Sequence, residues 1–297
     1  MKEPLWDDLR VVLAVARSRS AAGAARNMGI AHATVLRRIQ AIEESYGVRI
    51  FDRSPAGYSL TDDGRELAEI AERFEEAFKA ARRRFDGRTD EMKGDLRFTT
   101  TDSLMSPWVV DLLAAFRTKH PDISLSAEIT NCVLEMERDG FHVSIGPNAS
   151  PPASLVGMRL CRMDFGLYVS STIPAKGNPD WWREMDFLHP DEQLGQVPIG
   201  RWLEQLAVRS KIKSRANSFL ALATMAEAGM GIAALPCFIG RQLTLTELEI
   251  APIEYSNELW ILTHSDLRRS ARVRSFMHHM ASGIRAKRAL FQANPKK

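Results

Sequence analysis

Between Leu9 and Ile42 lie 34 residues that carry six arginines (Arg10, Arg17, Arg19, Arg26, Arg37, Arg38) and no carboxylate. A chain with 26% charged residues usually mixes both signs over that distance, so this segment is expected to face something anionic. Its apolar residues say how it folds. Leu5, Leu9, Val12, Leu13 and Ala16 recur at the spacing that lines one face of a helix. Ser20 is placed to cap a second helix from Ala21 to Met28, where Ala22, Gly23, Ala24 and Ala25 allow close backbone approach and Gly29 supplies the left-handed stop. A third helix is predicted from His32 to Tyr46, with Val35, Ile39, Ile42 and Tyr46 on one stripe and Gly47 at its end.

Three short helices with a tight turn between the second and third form a helix-turn-helix, whose last helix enters the major groove of DNA by its N-terminal turns. The polar face of that helix shows His32, Ala33, Thr34, Arg37 and Arg38, and its first acids, Glu43 and Glu44, come at the far end. Val48 to Leu60 then reads as a hairpin around Ser54-Pro55-Ala56-Gly57, a wing with Arg53 beside its turn. One basic helix alone would suit an ordinary solvated face; the acid-free stretch, the capped helix pair and the wing together favour nucleic acid.

Thr61 is placed to cap a long helix with Asp62 and Asp63 in its first turn. Leu67, Ile70, Phe74, Ala77 or Phe78, Ala81 and Phe85 repeat along it at three- and four-residue steps. So narrow a seam, on a helix joining two domains, is expected to pair with another copy through Leu67, Ile70, Phe74, Phe78 and Phe85. Gly87 to Gly94 is polar, with a glycine at each end, and reads as a hinge. The predicted domains are therefore 1–60 (winged helix-turn-helix), 61–86 (linker and dimerisation helix), 87–94 (hinge) and 95–297.

The second half begins with a strand over Leu96 to Thr101, a helix through Trp108, Leu112, Leu113 and Phe116 that Asp102 or Ser103 would cap, and a strand from Ile123 to Ile129. Further on, Leu160 to Ser170, Gly231 to Leu235 and Leu259 to Thr263 read as strands and Ser218 to Ala228 as a helix. Strand, helix, strand is the parallel α/β signature, in which ligands bind beyond the carboxyl ends of the strands. Thr100, Thr101, Asp102 and Ser103 lie at such an end, Thr130 and Asn131 follow the next strand, and Asn217 and Ser218 stand at a helix start. Hydroxyls, amides and helix-terminal N–H groups suit a carboxylate or polar organic ligand, although Asp102 would oppose an anion and some of these residues suit simple caps.

Ser20 to Gly64, with Ala24-Ala25, Thr34-Val35-Leu36-Arg37-Arg38-Ile39, Ile42-Glu43, Gly47-Val48-Arg49-Ile50-Phe51-Asp52-Arg53 and Leu60-Thr61-Asp62-Asp63-Gly64, resembles the winged helix-turn-helix of LysR-type transcriptional regulators. The resemblance continues through Phe116 with His120-Pro121-Asp122-Ile123, the run Ala228 to Pro236, and Trp260 with His264 to Arg269. It implies an α/β fold in which a winged helix-turn-helix and a long linker helix precede a two-lobed effector domain like a periplasmic binding protein, crossed twice by the chain. It also implies that Ala31, His32, Ala33 and Thr34 form the front of the recognition helix, that Arg37 and Arg53 hold phosphates, that the linker helix dimerises and that RNA polymerase is a candidate contact. Two residues depart from the pattern: Leu36 stands where the family usually has serine and His32 where it usually has glutamine. Near Asp139-Gly140-Phe141-His142-Val143 the frequent acid after the glycine is missing.

The expected function is a sequence-specific transcriptional regulator, not an enzyme, that binds double-stranded DNA at inverted repeats as a homodimer or homotetramer and answers to a small organic effector. No cofactor is expected. The competing reading is a solute-binding or enzymatic α/β module whose N-terminal helices only dimerise. No G-x-S-x-G, P-loop or H-E-x-x-H motif occurs, and Gly229-Met230-Gly231 lacks the third glycine of a dinucleotide loop. His278-His279 has no partner pattern for a metal and reads as part of a solvated tail, for Leu267 to Lys297 holds nine basic residues and no acid. Removing those nine charges from the formal +3 leaves the first 266 residues at −6, so basic charge is concentrated at the two ends. Three scattered cysteines (Cys132, Cys161, Cys237), no apolar run of membrane length and an opening Met1-Lys2-Glu3-Pro4-Leu5 unlike a signal peptide point to a reducing cytoplasm and no membrane.

Overall fold

The computed structural model describes residues 6–55, 57–87, 91–131, 140–148, 150–173, 181–191, 194, 198–206, 212–248 and 255–293. Contacts divide the chain into two compact units, Met1–Arg82 and Arg83–Lys297.

In the first unit, α1 (Trp6–Ser18), α2 (Ala21–Met28) and α3 (His32–Tyr46) follow the predicted periodicity. The Ser20 hydroxyl accepts the Gly23 N–H at 3.2 Å, and Gly29 and Gly47 end their helices at φ 65° and 69°, where a side chain would be strained. Val11, Val12 and Val15 of α1, Ala21 and Ala24 of α2, and Val35, Ile39 and Ile42 of α3 close one core. The wing is β1 (Phe51–Ser54) paired antiparallel with β2 (Gly57–Leu60); Ala56, in its turn, lies outside the described residues. Thr61 caps α4 (Asp62–Gly87), its hydroxyl accepting the Gly64 N–H at 3.0 Å. The helix start is wedged against the segment that leads into the wing: a Cβ on Gly64 would lie 2.1 Å from the Ile50 carbonyl oxygen. Arg17 of α1 reaches Glu75 of α4 at 2.9 Å. Burial pushes the Glu75 carboxyl up, but the Arg17 hydrogen bond and charge outweigh it and hold it below the ordinary glutamate value.

The second unit contains β3 (Gly94–Thr100), a 3-10 turn (Asp102–Leu104), α5 (Pro107–Lys119), β4 (Ile123–Ile129), β5 (Val143–Pro147) and the long β6 (Leu155–Ser170). Then come β7 (Phe187–Pro190), α6 (Pro198–Leu206), β8 (Ile212–Ala216), α7 (Phe219–Glu227), β9 (Ile232–Pro236), α8 (Cys237–Gly240), β10 (Leu245–Glu247), β11 (Ser256–His264) and α9 (Ala271–Ala286). The strand order β4-β3-β5-β11-β6-β9-β7-β8, with β10 beside β6, gives two lobes that share β6. Its first half pairs with β11 and its second half with β9. β3 runs parallel to β4 and β5 in the first lobe, as β7 does to β8 and β9 in the second.

Three expectations need correction. Leu267 to Ala293 is not a solvated tail, and the last four residues lie outside the described residues: α9 buries Val273, Phe276, Met277, Met280, Ala281 and Ile284, and Phe276 packs against Phe98 and Phe116. His279 within it donates its Nε2–H to the Leu112 carbonyl, 2.8 Å away. Helix α5 begins after Ser106, because residues 102–104 form their own turn. β3 starts at Gly94, inside the segment predicted as hinge, and residues 88–90 of that segment lie outside the described residues.

Candidate nucleic-acid interface and effector cleft

Helix α3 is held by its apolar stripe, and this leaves its opposite side outside. Ala31, His32, Ala33 and Arg37 are exposed and Thr34 is half buried. Leu36 packs against the core of the first unit, so the missing serine hydroxyl is replaced by an apolar contact. Arg38 is tied down: its guanidinium donates to the Asp7 carbonyl at 3.1 Å and stands 3.8 Å from the Asp8 carboxylate. Arg53, on the wing, is exposed and lies 5.4 Å from the Tyr58 ring centroid. Glu43 reads from sequence only as an acid at the far end of the helix and part of the family pattern, yet its carboxylate accepts the Ile50 and Phe51 N–H groups at 2.8 and 3.3 Å. It fixes the first wing strand to the end of α3. A glutamate facing backbone donors from a strand eight residues away leaves no local sequence signal.

Along α4, Ile70, Phe74, Phe78 and Phe85 are 42%, 50%, 62% and 67% exposed, an apolar row facing outward. Phe74 stacks on Trp6 with ring centroids 4.6 Å apart. Leu67 turns the other way and packs on the core.

In the second unit, the residues predicted at strand and helix ends converge from both lobes. The Asn131 side-chain amide donates to Asp102 Oδ2 at 3.0 Å and to the Asn217 carbonyl at 3.1 Å, while Asn131 Oδ1 accepts the Asp102 N–H at 3.2 Å. Ser218 donates its hydroxyl to the same Asp102 oxygen and accepts the Ala221 N–H at 3.0 Å, so one side chain caps α7 and bonds to the other lobe. The Thr101 and Ser103 hydroxyls share a 3.0 Å hydrogen bond. Thr100 is 3% exposed, its carbonyl accepting the Thr130 N–H at 2.9 Å, so these two chiefly hold the strand ends together. Such a cluster of hydroxyl, amide and carboxylate between two lobes can orient a small polar molecule.

His142 has a structural place: Arg97 N–H donates to its Nδ1 at 2.9 Å, and its own N–H returns to the Arg97 carbonyl at 2.9 Å, extending the β3–β5 ladder by a side chain. Cys161 and Cys237 are buried, which pushes both thiols up to about 11, so they are protonated at neutral pH; Cys132 lies outside the described residues. Among the described residues, no group of His, Cys, Asp and Glu is arranged to hold a metal, and no helix is long and apolar enough to cross a membrane.

Residues 6–65 match the family model described as "Bacterial regulatory helix-turn-helix protein, lysR family", and residues 89–285 match "LysR substrate binding domain". The chain belongs to the LysR family. It is a LysR-type transcriptional regulator, with a DNA-binding helix-turn-helix ahead of an effector-binding domain. Among its relatives are the Mau operon transcriptional activator of Paracoccus denitrificans, 24% identical over 266 residues (89% of this chain, 90% of the relative), and the regulator IlvY of Escherichia coli, 26% identical over 274 residues (87% and 88%). Full-length AphB of Vibrio cholerae shares the fold with a TM-score of 0.61 at 18% identity, covering 95% of this chain and 99% of that one. The regulator thus has both architectural parts of its family, and the geometry above shows which side chains each part presents.

Proposed function

We propose that the regulator reads an inverted-repeat operator in the cytoplasm as a homodimer or homotetramer, paired through the outward apolar row of α4. One observation carries the DNA reading: the front of α3 exposes Ala31, His32, Ala33 and Arg37 without a carboxylate, with Arg53 exposed on the wing. Arg37 and Arg53 hold phosphates, and His32 and Thr34 meet base edges. Pairing two such helices demands two half-sites about a helical turn, or a multiple of it, apart. Fluorescence anisotropy on DNA from upstream of the coding region, with random competitor at about 150 mM salt, tests this. Arg37→Ala is expected to weaken binding to every sequence about tenfold and to lower the salt slope by about one. Unchanged affinity and slope would refute this docking. His32→Ala should instead alter which base is preferred.

The effector sits where Asp102, Asn131, Asn217 and Ser218 meet, with the Thr101 and Ser103 hydroxyls beside them. Both side-chain bonds to Asp102 fall on Oδ2. Its other oxygen therefore suits a hydrogen-bond donor on the ligand, such as an amine or hydroxyl, better than a carboxylate. A thermal-shift screen of amines, amino acids, alcohols and carboxylates identifies hits. Their dependence on Thr101→Val, Ser103→Ala and Asp102→Asn then checks the location, and hits indifferent to all three variants would remove it.

A further inference from the structure

The first lobe has a second concavity, of about 580 Å³, bounded by β6 on one side and by the end of α9 and the turn after it on the other. Arg159, Arg162, Arg285 and Arg288 line it, with Met158 supplying carbon surface. Four guanidiniums around one hollow are not a consequence of overall composition, which is nearly balanced at 40 basic against 37 acidic residues.

The backbone is shaped to bring two of them together. Residues three apart on a regular strand point to opposite faces. The pairing of β6 with β11 shifts here: Leu259 faces Cys161, but Trp260 faces Arg159, so Leu160 is an extra residue. That bulge lets Leu160 and Cys161 both turn inward while Arg159 and Arg162 both stay outside on the same side. Opposite them, Arg285 in the last turn of α9 donates to the Arg159 carbonyl, and Arg288 follows three residues later.

The charges do not cancel. Glu258 answers Arg159 at 3.0 Å and Asp164 answers Arg162 at 2.6 Å, whereas Arg285 and Arg288 add two further positive charges without carboxylate partners among the described residues. The surplus is two. Guanidiniums present paired N–H donors that match carboxylate and phosphate oxygens, and apolar surface beneath suits a short carbon skeleton.

We propose that this hollow is a second ligand site, separate from the interlobe cleft, that takes a small organic dianion: a dicarboxylate or a phosphate monoester. The dianion bridges the surplus arginines of the α9 end to the bulged segment of β6.

Isothermal titration calorimetry on the full-length protein at constant ionic strength tests it, with succinate, inorganic phosphate and phenyl phosphate as probes and acetate as the monoanion control. At least one dianion should bind saturably at one site per chain, and acetate should not. Arg288→Gln should weaken that binding at least about tenfold, and Arg285→Gln combined with it should abolish it. Arg288 is exposed, so the thermal midpoint of Arg288→Gln without ligand should stay unchanged, whereas the double variant also loses the Arg285 bond to the Arg159 carbonyl. Ser218→Ala, in the cleft, should leave dianion binding as it was. The proposal falls if none of the three probes binds saturably below about 10 mM. It falls equally if the double variant binds as the native protein does, or if Ser218→Ala is the change that removes binding.

Discussion

The recognition face and the interlobe cleft are built on opposite principles. On α3, the outward residues make few bonds to one another: the helix is fixed by Val35, Ile39 and Ile42 behind it, and its front is left for a partner. In the cleft, the polar groups already satisfy each other, Asn131 and Ser218 from opposite lobes meeting on one oxygen of Asp102. A face of the first kind can be met without rearrangement. A ligand docking on the other oxygen of Asp102 meets groups already bonded to one another, and any of those bonds it replaces changes what holds the lobes together. On the proposed function, the exposed face of α3 behaves as a rigid template for DNA and the cleft as the element whose state a ligand can change.

Breaking the template requires an attack from behind. Gly64→Ala sets a methyl group 2.1 Å from the Ile50 carbonyl oxygen, a backbone atom that cannot swing aside. The expected cost is about 3 kcal/mol or more. DNA binding should disappear although no residue of the face has changed. Hydrogen exchange of β6 and β11, in the other unit's core, should stay native. Full DNA affinity in this variant would show that the wing and α4 do not hold the face.

Ser218→Ala is the corresponding test of the cleft. It removes a helix cap and a hydrogen bond to a carboxylate at once, for about 2 kcal/mol. Thermal unfolding should report the loss, and Ser218→Thr should restore most of it. A loss no larger than an ordinary surface cap would mean that the link between the lobes contributes little.

These two sites differ as well in how far sequence revealed them. Helix limits in the first unit follow from neighbours in the chain: Ser20 and Gly29 bracket α2, Gly47 ends α3, and the structure places the ends there. The cleft residues were legible as strand and helix ends, but not the bonds that Asp102 makes with Asn131 and Ser218, since 29 and 116 residues separate them. Strands β5, β7 and β8, of four or five residues, are too short for a periodic signal and exist through pairing with distant partners. α9 was hidden by its charge: Arg274 and Arg285 on its outer side, and Arg272 buried beside Val273, mask a stripe of Val273, Phe276, Met280 and Ile284. The bulge at Leu160 has no local mark whatever, because it exists only in the register with β11.

Acid should separate the two sites more gently. Glu75 has its folded pKa held down by Arg17, so its contribution is present above the unfolded carboxylate value and is lost as pH falls through the lower, folded one. Since the Arg17 side chain is 47% exposed, the pair is worth under about 1 kcal/mol. Arg17→Ala should lower the first unit's stability near neutral pH and converge with the native protein below the acidic transition. A difference that persists undiminished in acid would assign the effect to packing instead.

The smallest expected effect lies within the template itself, at two adjacent arginines. Arg37 is exposed on the face, whereas Arg38 is spent on α1, with a 3.1 Å bond to the Asp7 carbonyl and the Asp8 carboxylate 3.8 Å away. A guanidinium held this way donates less to phosphate than one that projects freely, and a half-exposed ion pair of this length adds only a few tenths of a kcal/mol, about 0.5. Arg38→Ala should therefore shift the thermal midpoint slightly and leave the salt slope of DNA binding close to native, while Arg37→Ala does the reverse. If Arg38→Ala lowers the slope by as much as Arg37→Ala, the guanidinium leaves Asp7 and Asp8 when DNA arrives, and the face is less of a rigid template than its free geometry implies.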